Sequence, residues 1–278
     1  MSKLGYFRRS STFLASGLVT LLLLVSCASN RHHMGDNGEA IVSQNHLTMA
    51  TLWVKTSGEY RANAYQAYNL ARRILDDSLR KKSSKKRAII LDADETLIDN
   101  SYYQVSNMVA GKGYSSSSWA AWVEEAQALA IPGAVEFLKY ANKKGVEIFY
   151  LSNRKVSGIE ASFKNLKQLG FPVKKENLLF REKENSKQPR REMVAKKYNV
   201  VLLVGDNLAD FSNVFERPSA NERAEAVNKL QNNFGQNFVI LPNPMYGDWE
   251  NVLYEKGPST PDAEKSQARL NMIKSFLK

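Results

Sequence analysis

The chain has 278 residues, 43% hydrophobic and 24% charged, which is globular composition and enough length for one large domain or a core carrying an inserted cap. The net charge of +11 suits an anionic ligand or surface, or simply a lysine-rich soluble exterior; no Lys/Arg stripe interleaved with aromatics marks a nucleic-acid polymer as partner. Cys27 is the single cysteine, which excludes a disulfide framework and a thiolate metal site.

Residues 1–26 read as a targeting segment. Lys3, Arg8 and Arg9 precede an apolar run, Phe13 to Val25, too short to span a bilayer comfortably. The run ends in Leu24-Val25-Ser26-Cys27, which resembles the bacterial lipobox. That resemblance implies cleavage before Cys27, acylation of its thiol and a stable membrane anchor. Ala28 after the cysteine favours the outer membrane by the lipoprotein sorting rule. Residues 27–46, with Gly35, Asp36, Asn37 and Gly38, read as a tether, on which the neighbouring pair His32 and His33 reads as inert rather than as metal or haem ligands.

From Leu47 to Lys82 the pattern is helical with a break near Ser57-Gly58: Tyr60, Ala64, Ala67, Tyr68, Ala71 and Leu75 recur at threes and fours among Arg61, Arg72, Arg73 and Asp76. A basic linker, Lys81 to Arg87, leads into Ala88-Ile89-Ile90-Leu91, an apolar run expected to be a strand buried on both faces of a parallel sheet. Asp92 and Asp94 follow at its carboxyl end, where ligands bind in open α/β sheets. Two carboxylates so close ionise together only with a cation between them, and a hard ion such as Mg²⁺ suits them. The pair alone reads equally well as an acidic turn that ends a strand.

The segment Leu97 to Ile131, rich in aromatics, lacks a strand pattern; its serines, Ser115 to Ser118, suit a cap for a helix beginning near Trp119. An insertion here would hang over the crevice and shape substrate choice. Pro132-Gly133 opens a helix that stops at Gly145; Val146 to Leu151 is a strand ending in Ser152-Asn153-Arg154; Ile159 to Leu169 is a helix; Leu178 to Phe180 is a short strand. After the polar loop Glu182 to Gln188, Arg190 to Tyr198 is helical, Val200 to Val204 is a strand before Gly205-Asp206-Asn207-Leu208-Ala209-Asp210-Phe211, and Phe238 to Leu241 is a fifth strand. Strands and helices alternating at this spacing give a parallel sheet with right-handed crossovers.

Four strand ends thus carry Asp92 and Asp94; Ser152 and Asn153; Lys187; and Asp206 and Asp210. These residues, in the contexts Asp92-Ala93-Asp94-Glu95-Thr96, Ser152-Asn153-Arg154, Ser186-Lys187 with Arg190, and Gly205-Asp206 to Asp210-Phe211, resemble the four motifs of the haloacid dehalogenase superfamily. Within it the chain resembles the class C acid phosphatases, bacterial surface lipoproteins that include 5′-nucleotidases. Ser57-Gly58-Glu59-Tyr60, Ile131-Pro132-Gly133, Leu241-Pro242-Asn243 and Tyr246-Gly247 are also family-like.

The resemblance implies a Rossmannoid α/β fold: a parallel sheet with helices on both faces, and a smaller helical cap built from the N-terminal helices and the insertion. The phosphatase domain is expected at 47–278, with cap elements at about 47–82 and 98–131 and the catalytic core at about 86–97 and 132–250. It implies hydrolysis of small phosphomonoesters, with nucleoside 5′-monophosphates favoured, and a homodimer in many members. Asp92 would be the nucleophile that becomes an aspartyl phosphate, and Asp94 the general acid and base. Mg²⁺ would be held by Asp92, the main-chain carbonyl of Asp94, and Asp206, with Asp210 close by. Ser152, Asn153 and Lys187 would bind the phosphoryl oxygens; Lys183 competes with Lys187 for the third motif, and Arg190 at the family's spacing favours Lys187. Trp119 and Tyr246 occupy positions for gripping a base, or pack the cap on the core. A phosphatase for sugar or other metabolite phosphates, and a non-catalytic haem or adhesion lipoprotein, are the alternatives.

Overall fold

The computed structural model describes residues 45–277 except 217 and 218; the signal, Cys27, His32 and His33 lie outside them. A sheet of five parallel strands, β1 (Arg87–Leu91), β4 (Glu147–Lys155), β5 (Leu178–Arg181), β6 (Asn199–Gly205) and β7 (Phe238–Ile240), runs in the order β5-β4-β1-β6-β7. β1 is central because both its faces are apolar. Ile89 and Leu91 join a core cluster with Tyr68, Leu75, Phe137 and Leu138, while Ala88 and Ile90 join another with Phe149 and Val194. Each fully buried Ile or Leu contributes roughly 1.5–3 kcal/mol.

Helices cover both faces: α1 (Thr48–Thr56), α2 (Gly58–Arg80), α3 (Ser101–Val109), α4 (Ser116–Glu125), α5 (Ala134–Lys143), α6 (Ile159–Gln168), α7 (Gln188–Lys197), α8 (Ala220–Lys229), α9 (Asp248–Asn251) and α10 (Asp262–Ser275). Ser57 breaks the N-terminal helix as expected, accepting the Tyr60 N–H at 3.0 Å as the N-cap of α2. The segment expected as cap at 47–82 divides there. α1 meets the insertion at α3, with Thr51 donating to Met108 Sδ, whereas the apolar stripe of α2 lies on the sheet beside α5.

The insertion does contain strands. β2 (Ile98–Asp99) and β3 (Leu129–Ala130) pair antiparallel and, with the Ile131 N–H donating to Leu97 O at 2.9 Å, clip its two ends together. Two residues are too few to show a period. The serine cap acts one turn earlier than expected, with Ser115 as N-cap and α4 starting at Ser116. β4 runs on to Lys155 through a register irregularity, with Ser152, Asn153 and Arg154 at the strand's end as expected. The C-terminal helices α8 to α10 have no counterpart in the sequence pattern. Among the described residues no helix is long and apolar enough to cross a membrane.

Candidate active site

The carboxyl ends of β1, β4 and β6 and the start of α7 converge on one cluster. Lys187, the N-cap of α7 and buried, donates to Asp92 Oδ1 and to Asp210 Oδ1, each at 2.6 Å. Asp206 follows β6 and is held by Thr96 Oγ1 at 2.9 Å and Asn243 Nδ2 at 3.0 Å, both donating to its carboxylate. Carboxylate oxygens of Asp92, Asp206 and Asp210 all lie within 4.8 Å of one another.

Local chemistry fixes these positions. The loop after β6 closes with a capping box, Asn207 N–H donating to Asp210 Oδ2 at 2.9 Å and the Asn207 side chain accepting from Ala209. That turns the Asp210 side chain back over Gly205, where a Cβ would meet Asp210 Oδ2 at 2.3 Å; only glycine fits. Arg191 ties the same loop to α7 by donating to the carbonyls of Ala209 (2.7 Å) and Asp210 (3.0 Å).

Three acids share one ammonium, and the proton affinities reflect it. Burial pushes the Asp92 carboxyl well above the usual range; Lys187 pulls it back, and Asp210, Asp206 and Asp94 push it up again. Asp206 is pushed up to about 7, first by burial and then by Asp210, against its bonds from Asn243 and Thr96 and the pull of Lys187. Burial works against the Lys187 charge, but Asp210 and Asp92 outweigh it and raise the ammonium's pKa. Two unit charges 4.8 Å apart repel by roughly 3–4 kcal/mol at an effective dielectric of about 20. A divalent cation among the three oxygens removes that repulsion, and hard carboxylate oxygens are the donors such an ion takes.

Asp94 faces elsewhere. Its carboxylate accepts from Arg154 Nε (3.0 Å to Oδ1) and Nη2 (2.8 Å), from Asn100 Nδ2 (2.9 Å) and from Ser152 Oγ (3.3 Å), so it stands apart from the acid trio. Asn153 is exposed, its amide donating to Asn185 O (2.8 Å) and its Oδ1 accepting from Arg190 Nη2 (2.6 Å), which ties β4 to the loop before α7. Lys183 is exposed on that loop. Tyr246 donates its hydroxyl to Glu95, and Trp119 packs edge-on to Tyr103 with Arg154 over its ring at 5.6 Å. A cavity of about 430 Å³ opens alongside, lined in part by Asn153, Ser186, Ala209, Arg223, Asp248 and Tyr254.

Residues 13–249 match the family model described as HAD superfamily, subfamily IIIB (acid phosphatase). The chain belongs to that family. A class C acid phosphatase from Bacillus anthracis is 43% identical with a TM-score of 0.79, the match covering 83% of this chain and 97% of that one. The same kind of enzyme from that organism with tungstate bound is 42% identical with a TM-score of 0.78 over the same shares. The stem 28 kDa glycoprotein of Glycine max is 26% identical over 137 residues, 45% of this chain and 52% of that protein. The chain therefore spans about half the length of the curated relatives it matches. As in the superfamily's fold, the site sits on a parallel sheet flanked by helices, with the acids at its carboxyl edge.

Sequence reasoning gave no role to Asn100, Glu95, Thr96 or Arg154. Glu95 holds a left-handed backbone (φ 54°) and accepts from the Asn100 N–H at 2.8 Å. Burial raises its carboxyl well above the usual range, as do Asp94 and Asp206, while its bonds from Asn100 lower it. The available signal was the density of polar residues after an apolar strand, which does not say who bonds to whom.

Proposed function

We propose that this chain is a Mg²⁺-dependent acid phosphatase acting through an aspartyl phosphate. One observation carries the reading: Asp92, Asp206, Asp210 and Lys187 converge in a buried cluster at the carboxyl end of the sheet. Asp92 is the nucleophile at its centre, and Lys187 keeps that carboxylate ionised and faces the phosphoryl oxygens. When bound among Asp92, Asp206 and Asp210, with the Asp94 carbonyl as a further oxygen, Mg²⁺ supplies positive charge to a phosphoryl group whose charge spreads over its oxygens. Ser152 donates to the same oxygens, and Asp94 protonates the departing alkoxide. Asn153 positions the loop that carries Lys187. Tungstate, the ligand in the Bacillus anthracis structure, is a tetrahedral oxyanion, which supports an oxyanion site here.

The substrates are small phosphomonoesters, nucleoside 5′-monophosphates first. The cavity beside Asn153 has room for such a leaving group, and the partly exposed ring of Trp249, whose Nε1 donates to Asn243 O, stands one residue from Asp206. Because the Trp119 ring already carries Tyr103 and Arg154 and the Tyr246 hydroxyl is bound to Glu95, whereas Trp249 is exposed, Trp249 is the better stacking surface. An acyl anchor on Cys27 places the enzyme on the outer membrane, where it strips phosphate from nucleotides too charged to cross.

Phosphate release from AMP and from p-nitrophenyl phosphate by the chain lacking residues 1–27 is the test. Activity is expected with Mg²⁺, not with EDTA, and is expected to fall at least about 10³-fold in Asp92→Asn. Metal-independent activity, or full activity in Asp92→Asn, would overturn the reading.

A further inference from the structure

The partners of Asp94 divide unequally between its two oxygens. Oδ1 accepts three N–H donors, from Arg154 Nε (3.0 Å), Arg154 Nη2 (2.8 Å) and Asn100 Nδ2 (2.9 Å). Oδ2 accepts only longer bonds, 3.2 Å from Arg154 Nε and 3.3 Å from the Ser152 hydroxyl. An oxygen ringed by three N–H donors has no lone pair left for a proton; Oδ2 makes only the two longer bonds, one of them to the Ser152 hydroxyl, which can turn to accept from a protonated Oδ2.

Arg154 is itself held from every side. It is buried, Nη1 donates to Ser162 Oγ at 2.9 Å, Nη2 donates to Asn100 Oδ1 at 3.2 Å, and its guanidinium lies over the Trp119 ring at 5.6 Å. Asn100 Oδ1 also accepts from Trp122 Nε1 at 2.8 Å. Asn100, Trp119 and Trp122 all belong to the insertion after β1, so the cap grips the arginine that grips the acid.

We propose that Arg154 is the positioning residue for protonation of the leaving group: with Asn100 it occupies Asp94 Oδ1 and presents Oδ2 to the ester oxygen. This rests on the phosphatase reading above. As Asp92 forms its bond to phosphorus, the bond from phosphorus to the ester oxygen breaks, and the proton on Asp94 Oδ2 passes to that oxygen. The alcohol departs, and Asp94 remains as a carboxylate whose charge Arg154 balances. Trp119 serves the same step from the cap, as a platform for the guanidinium rather than for a base.

The test compares two esters without a nucleobase: ethyl phosphate, whose alkoxide needs a proton to leave, and 2,4-dinitrophenyl phosphate, whose phenolate does not. The readout is kcat/KM, which reports the steps through alcohol release. Arg154→Lys keeps the charge but loses the fork. It is expected to lower kcat/KM for ethyl phosphate about 100-fold and for the dinitrophenyl ester less than about threefold, because only the step that needs an acid is affected. Trp119→Leu is expected to give a smaller loss with the same selectivity, about three- to tenfold on ethyl phosphate. Equal losses on both esters, or no loss, in a variant with unchanged circular dichroism would overturn the proposal. Should Arg154→Lys fail to fold, Trp119→Leu decides by the same criterion. If the unaltered chain hydrolyses neither ester, the phosphatase reading itself falls, and this inference with it.

Discussion

At the amino end of the sheet Glu147, the first residue of β4, accepts hydrogen bonds from Lys86, Lys174 and Asn177, each at 2.7 Å. At the carboxyl end three carboxylates share the single ammonium of Lys187. Burial raises the proton affinity of the acids at both ends. At Glu147 the bonds from Lys174, Lys86 and Asn177 outweigh it and hold the carboxyl down at about 2, whereas Asp206 is pushed up to about 7. The contrast separates two uses of buried charge. An acid supplied with more donors than it needs stabilises the fold, and a set of acids with too few is left short of positive charge and fit to take a cation and a phosphoryl group.

The comparison breaks most severely if the acid trio loses Lys187. Lys187→Met is expected to lower kcat on p-nitrophenyl phosphate by about 10³-fold or more, since it removes the partner of Asp92 and, in the proposed mechanism, the charge facing the phosphoryl group; steady-state kinetics at saturating Mg²⁺ checks this. Gly205→Ala comes next. A Cβ 2.3 Å from Asp210 Oδ2 must push that side chain out of the acid trio, and displacements of this order cost about 100-fold in rate. The loss is expected in kcat together with weaker metal affinity, both read from a Mg²⁺ titration of activity.

At the amino end the expectation reverses. Glu147→Gln is expected to leave kcat within about twofold and to cost on the order of 1–2 kcal/mol of stability, discounted because both lysines are more than half exposed. Urea unfolding at neutral pH measures it. The smallest effect sharpens the sign. Glu147 has a lowered folded-state pKa, so between its ordinary value near 4.5 and about 2 the unfolded chain binds more protons. Its stabilisation is present above that window and is lost as pH falls through it. The stability difference between the chain and Glu147→Gln is therefore expected to shrink from pH 5 to pH 2.

The acids and the lysine were legible in the sequence because each follows an apolar strand or opens a helix: Ala88 to Leu91 before Asp92, Val200 to Val204 before Asp206, and Lys187 before α7. What each acid does with its two oxygens was not legible. Asp92 and Asp94 look equivalent along the chain, yet one bonds Lys187 and the other Arg154, 60 residues away, because that pairing depends on where β4 ends. β2 and β3 escaped because two residues carry no period, and α10 because none of its residues is buried, so it has no core-facing stripe. Glu147 gave no sign either: its partner Lys86 precedes β1, whereas Lys174 and Asn177 lie in the connection between α6 and β5.

Thermal unfolding of the chain lacking residues 1–27, in EDTA and across a Mg²⁺ titration, tests the central claim most directly, with Asp206→Asn measured alongside. A cation that binds only the folded acids raises the midpoint by linkage, by about 2.7 kcal/mol of stability at 100 times its dissociation constant. A rise with Mg²⁺ that is lost in Asp206→Asn is the predicted result. A midpoint unmoved by Mg²⁺, or moved equally in the variant, would contradict the account.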